Sequence, residues 1–160
     1  MGTDNEEQVR GFADAITRDD VDAALAVCHP EIEFTSLLAV SGRAYIGHQG
    51  IREYFDDVRG AWDEWRVDVH GVAAAPDGRV AIVMTMHARG RESGATLSEL
   101  AGHVWTLRDG LLWRNELHRE PEEALRSVGA SLSGRPRASG LGSRPGSRPD
   151  ALAPEAGRTK

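Results

Sequence analysis

The sequence predicts an α+β fold, a cone-shaped roll in which a curved antiparallel sheet packs on N-terminal helices around a central pocket. Three observations predict it. Apolar residues recur at helical spacing early in the chain, with Val9, Phe12, Ala13 and Ile16 on one face and Ile51, Tyr54, Phe55 and Val58 on another. From Arg66 onward the pattern changes to β-rich runs, separated by turn signals at Pro76-Asp77-Gly78 and Asp109-Gly110. Helices followed by a meander form a layered fold, with the helices covering one face of the sheet.

Taken in order, Thr3 to Glu6 reads as a capping box that starts the first helix. Asp19 and Asp20 start a short second helix that turns Val21, Ala24, Leu25 and Cys28 inward. Pro30 ends it, and Ile32-Glu33-Phe34 alternates as a strand. A loop of small residues leads through Tyr45 to Gly50 into the third helix. Arg66–Ala74, Val80–Arg89, Leu97–Leu107 and Leu111–Arg119 read as four strands, the last two joined by the Asp109-Gly110 hairpin. Glu120 then precedes a final short helix as its N-cap. Pro121 stands where a missing N–H costs nothing, and Gly129 stops the helix.

The 160 residues divide into a domain over 1–129 and a tail over 130–160. With 40% apolar and 28% charged residues, the composition is that of an ordinary globular chain. The tail is rich in Ser, Gly, Pro and Arg and has three leucines as its only large apolar residues, so it is expected to be disordered. The tail carries six Arg/Lys against two Asp/Glu, so the net charge of −6 leaves −10 on the body. An acidic body argues against nucleic acid as a partner. No apolar run approaches the ~20 residues that cross a bilayer. The acidic start, Met1 to Glu7, does not resemble a secretory signal, so the expected location is the cytoplasm, away from membranes. Cys28 is the single cysteine, which excludes an internal disulfide, and its apolar setting suits a small buried hydrophobe.

Several segments resemble one family. His29-Pro30-Glu31-Ile32-Glu33-Phe34 and Tyr45-Ile46-Gly47-His48-Gln49-Gly50-Ile51-Arg52-Glu53-Tyr54-Phe55 resemble the first strand and third-helix start of SnoaL-like proteins, in the nuclear-transport-factor-2-like superfamily. Arg91-Glu92-Ser93-Gly94, the run from His103 to Gly110, and Glu120-Pro121-Glu122-Glu123-Ala124-Leu125 are similar to later segments of the same family. The resemblance covers about residues 5–129 and implies the cone fold. Its members include polyketide cyclases, ketosteroid isomerases, epoxide hydrolases and pocketed proteins without known activity, so it does not fix a reaction. The acid/base residue of the cyclases would fall near Glu120; a Glu before Pro121 suits a helix cap better than catalysis.

The Asp109-Gly110 turn sets a register that can be counted. If Arg108 pairs with Leu111, then Trp105 faces Arg114, His103 faces Glu116 and Ala101 faces His118, all on one side of the sheet. That side is taken as the pocket, because polar groups converging among aromatics are what a ligand site needs. His103 and Glu116 are then the expected catalytic pair, a base and its orienting carboxylate. Trp105, Arg114, His118 and Tyr45 are the expected ligand-binding residues. His48, His87 and His29 are expected to be structural. No metal-ligand spacing, phosphate-binding loop or nucleophile elbow is present, so neither a metal nor a cofactor is expected. The expected partner is a hydrophobic small molecule. The pocket serves either cofactor-independent isomerase, cyclase or hydrolase chemistry on a hydrophobic ring compound, or ligand binding or dimeric interaction without catalysis. A homodimer is expected, with Trp113, Val104 and Leu117 near its interface.

Overall fold

In the computed structural model the structure describes residues 2–39 and 42–130. Helix α1, Gly2–Arg18, begins ahead of the expected cap at Thr3 and buries Val9, Phe12, Ala13 and Ile16. Helix α2, Val21–Ala26, starts at Asp20, whose carboxylate accepts the Ala23 N–H at 3.0 Å. Strand β1, Cys28–Phe34, and the two-residue β2, Tyr45–Ile46, precede α3, Gly47–Ala61, which buries Ile51, Tyr54, Phe55 and Val58. Strand β3, Trp62–Ala74, follows without a loop and so starts earlier than the alternation indicates. Strands β4, Val80–Gly90, β5, Thr96–Arg108, and β6, Leu111–His118, complete the meander, and α4, Pro121–Ser127, closes the domain. The expected tail lies, from Ser131 on, outside the described residues.

The six strands form one curved, unclosed sheet in the order β2-β1-β6-β5-β4-β3. The meander β3 to β6 is antiparallel, whereas β1 joins the β6 edge in parallel. The register shifts within β3, at Trp62/Glu64 and Val69/Gly71, are bulges that add twist and help the sheet wrap around the helices.

The hairpin turn is as the sequence indicates, but the register beyond it is not. Asp109 and Gly110 have φ of 56° and 77°, as a two-residue turn with positive φ at both positions requires. Arg108 pairs with Leu111 and Leu107 with Leu112; then the ladder skips Trp113, and Thr106 pairs with Arg114. Every later pair is displaced by one residue, so Trp105 faces Asn115, His103 faces Leu117 and Gly102 faces His118. Because side chains alternate, the slip moves Arg114, Glu116 and His118 to the face opposite His103 and Trp105.

The two faces of the sheet carry separate cores. The concave face packs on α1 to α3 through Ile82, Met84, Met86, Ala101 and Trp105. The outer face carries Ala81, Val83 and Val104, which are buried where α4 lies on β4 and β5 with Pro121, Ala124 and Leu125. Gly102 permits this approach, since a Cβ there would stand 2.6 Å from Ala124 Cβ. Trp113, Val104 and Leu117 therefore share no surface. Val104 lies on the face that the chain's own α4 covers, and Leu117 packs against the inner core. Trp113 lies in the bulge with the guanidinium groups of Arg108 and Arg114 at 3.6 and 4.5 Å from its ring.

Candidate functional site: an aromatic cavity around His103

Between the concave face and its helices lies a cavity of about 20 Å³. Its walls are Val9, Phe12, Ala13 and Ile16 of α1, Phe34 of β1, Tyr54 of α3, Val67 of β3, Ile82, Met84 and Met86 of β4, and His103 and Trp105 of β5, with Ser36 from the loop after β1. Helical spacing on α1 and strand alternation on β4 and β5 aim these residues at one space. Trp105 stacks on Phe34 with ring centroids 5.7 Å apart, and Phe12 meets both edge-on at 5.1 and 5.5 Å. Two larger grooves, one along Asp4, Asp77 and Asp109 and one along Glu64, Arg66 and Arg89, open on solvent and hold mainly polar side chains.

Three polar groups break the apolar lining. His103 is 3% exposed, and its Nδ1 lies 2.7 Å from Asn115 Nδ2. The Asn115 amide also spans to β1, where Oδ1 accepts the Thr35 N–H at 2.9 Å and Nδ2 donates to the Thr35 carbonyl at 2.8 Å. His103 Nε2 is fully buried with no hydrogen-bond partner among the described residues. Burial, with a smaller contribution from His118, pushes His103 down to about 4, so the imidazole is neutral at pH 7. Ser36 Oγ accepts the Leu38 N–H at 3.1 Å and lies 3.1 Å from the Tyr54 hydroxyl. Burial pushes the Tyr54 phenol up, which keeps it a neutral hydroxyl.

Of the residues that the sequence nominates, the structure brings His103 and Trp105 to this cavity. Glu116 and Arg114 are on the other face, with side chains 72% and 48% exposed, and Arg114 pairs with Glu33 at 3.2 Å. His118 lies beside α4, 3.6 Å from both Glu116 and Glu123. Tyr45 is buried but does not line the cavity. Its hydroxyl donates to Asp57 at 2.6 Å, and its ring backs Tyr54 edge-on at 5.3 Å. His48 bonds the Cys28 carbonyl at 2.8 Å, His87 pairs with Asp68 at 3.0 Å, and His29 Nδ1 accepts the Glu31 N–H. Glu120 occupies the N-cap position of α4 without a side-chain capping bond. Cys28 is buried and its thiol is pushed up to about 12, the opposite of what a nucleophile needs.

Asn115 and Ser36 are the residues that sequence reasoning misses. Asn is depleted in strands, so a lone Asn between Trp113 and Leu117 is a signal that the position carries a particular hydrogen bond. Ser36 has no such signal in its loop of small residues.

A family model described as a SnoaL-like domain matches residues 9–115. Solved structures share the fold. An NTF2-like protein of unknown function from Burkholderia pseudomallei superposes with a TM-score of 0.63 at 21% identity, over 79% of this chain and 98% of that one. TerC, co-crystallised with polyporic acid, superposes with a TM-score of 0.63 at 23% identity, over 78% and 97%. SalBIII, an epoxide hydrolase/cyclase-like enzyme in pyran ring formation in the polyether salinomycin, has a TM-score of 0.59 at 20% identity, over 71% and 88%. No curated protein matches the chain.

Proposed function

Given that the chain belongs to the SnoaL-like domain family, we propose that its aromatic cavity binds a small hydrophobic ring compound that carries one polar atom, which meets Nε2 of His103. One observation carries this reading: His103, whose buried Nε2 has no partner among the described residues, lines a cavity that is aromatic and aliphatic apart from the hydroxyls of Ser36 and Tyr54. Leaving such a group unpaired costs about 1–3 kcal/mol, and a ligand atom that paired with it would recover that cost. TerC, co-crystallised with polyporic acid, and SalBIII, in pyran ring formation, share the fold and are in keeping with this reading.

A cavity of about 20 Å³ takes a single water-sized group, whereas a benzene ring needs on the order of 150 Å³. Binding therefore requires the walls to part. Met84 and Met86 are the unbranched side chains in the lining, and they give way most cheaply.

Among the possible roles, the geometry favours binding over proton abstraction. Isomerase, cyclase or hydrolase chemistry needs a base, and His103, the imidazole of the lining, has no carboxylate among the lining residues to orient it. Glu116, the carboxylate expected to orient His103, belongs to the other face. We place the protein in the cytoplasm. A second copy would dock on the outer face beyond α4, where Leu100 is exposed.

The test uses the protein's own methionines. There are three, and Met84 and Met86 both line the cavity. Methyl-labelled protein titrated with cyclohexanone should show saturable shifts at both residues. Absence of any shift at either methyl up to millimolar ligand overturns the reading.

A further inference from the structure

We infer that Asn115 locks His103 in the tautomer with its proton on Nε2, so that the cavity selects ligands through an oxygen acceptor such as a ketone, ether or epoxide. The choice of ligand class rests on the pocket reading above; the lock itself does not.

A carboxamide has one acceptor oxygen and one donor nitrogen with two hydrogens. Thr35 fixes which end is which. Its N–H needs Oδ1 at 2.9 Å and its carbonyl needs Nδ2 at 2.8 Å. Reversing the amide would set N–H against N–H and oxygen against oxygen. Both Thr35 partners are backbone groups, which cannot change their donor or acceptor character.

The second Nδ2 hydrogen therefore points at His103 Nδ1, 2.7 Å away. A hydrogen arriving there requires a lone pair on Nδ1. A neutral imidazole has one ring proton, so that proton must be on Nε2. The unpartnered nitrogen at the cavity wall is a donor, and it has no lone pair with which to take a proton from a ligand. The hydroxyls add to the same bias. Ser36 and Tyr54 have two hydrogens between them, and their mutual bond uses one. Asn115 is thus a positioning residue that acts through His103 without lining the cavity.

Long-range 1H–15N correlation on the whole chain at neutral pH reads the tautomer directly. The expected result is a proton on Nε2 of His103 and none on Nδ1. In Asn115→Ala, whose fold is checked by its amide spectrum, both nitrogens should move toward an averaged signal as the tautomers exchange. A second comparison covers the case in which that variant does not fold. Wild-type protein should bind cyclohexanone about tenfold more tightly than methylenecyclohexane, which has the same shape without the acceptor. A proton on Nδ1, a tautomer mixture in the wild type, an unchanged Nε2–H tautomer in folded Asn115→Ala, or a ketone bound no better than the hydrocarbon overturns the inference. If neither compound binds while the Nε2–H tautomer is in place, the pocket reading and its ligand class fail and the lock stands.

Discussion

Glu116 stands across the sheet from Val104, not from His103. The cause is Trp113, which the β5–β6 ladder skips. Without the skip, Arg114 and Glu116 would point into the aromatic core, and Asn115 and Leu117 would face outward. Burying those two charges would cost several kcal/mol each, far more than the ladder bonds lost at one bulge. With the skip, the charges reach solvent and Asn115 reaches Thr35 and His103.

Glu116→Gln should therefore be close to silent. The side chain is 72% exposed, and substitutions at such positions lie within about 0.5 kcal/mol. Urea unfolding should show no larger change, and the affinity for cyclohexanone should equal that of the wild type. A loss of binding in this variant would mean that Glu116 reaches the cavity after all.

Gly102→Ala should destabilise the domain by about 1–3 kcal/mol, because the new methyl would stand 2.6 Å from Ala124 Cβ and 3.3 Å from Pro121 Cα. Helix α4 is short, so it should lift from β5 rather than the sheet distort. Denaturant melts give the energy, and faster amide exchange confined to residues 121–127 identifies the part that yields.

Much of this fold is legible in the sequence. Periodicity alone locates the buried faces of α1 and α3, because each helix has one apolar stripe and one solvent face. The Asp109-Gly110 turn was equally plain, since few other dipeptides accept positive φ at both central residues. The site was half legible. His103 and Trp105 precede the turn on the strand whose inward set the register kept, whereas Arg114, Glu116 and His118 lie beyond a bulge that has no sequence signature. Nor could the sequence show that α4 would cover Val104, since a helix that closes a domain can pack on either face.

Ser36→Ala should cost about 1–3 kcal/mol, because it leaves the buried Leu38 N–H without its acceptor and the Tyr54 hydroxyl without its partner. Tyr54→Phe removes one end of the same contact. The double variant should lose less than the sum of the two single losses, as expected for residues that share a hydrogen bond. Strict additivity in urea melts would mean that the two hydroxyls do not interact.

Stability should fall as the pH drops below about 6.5, with His103 as one identifiable source. Folding lowers this imidazole from its ordinary value of 6.5 to about 4. Between those two values the unfolded chain binds a proton at this residue and the native state does not. Linkage then makes stability rise with pH across the window, and acidification removes it. Its contribution is fully present above pH 6.5 and is lost progressively toward pH 4, for a total of about 3 kcal/mol. Asp20, Asp68 and Asp77 are all held below the usual carboxylate range, so their losses come at lower pH, below about 3.8. His103→Leu isolates the histidine, because it keeps an apolar side chain of similar size in the cavity wall. Urea melts of both proteins at pH 7, 5.5 and 4 should show the wild type losing about 3 kcal/mol more than the variant across that range. Parallel curves for the two proteins would show that His103 is protonated as easily in the fold as outside it, and would contradict its burial as a neutral donor.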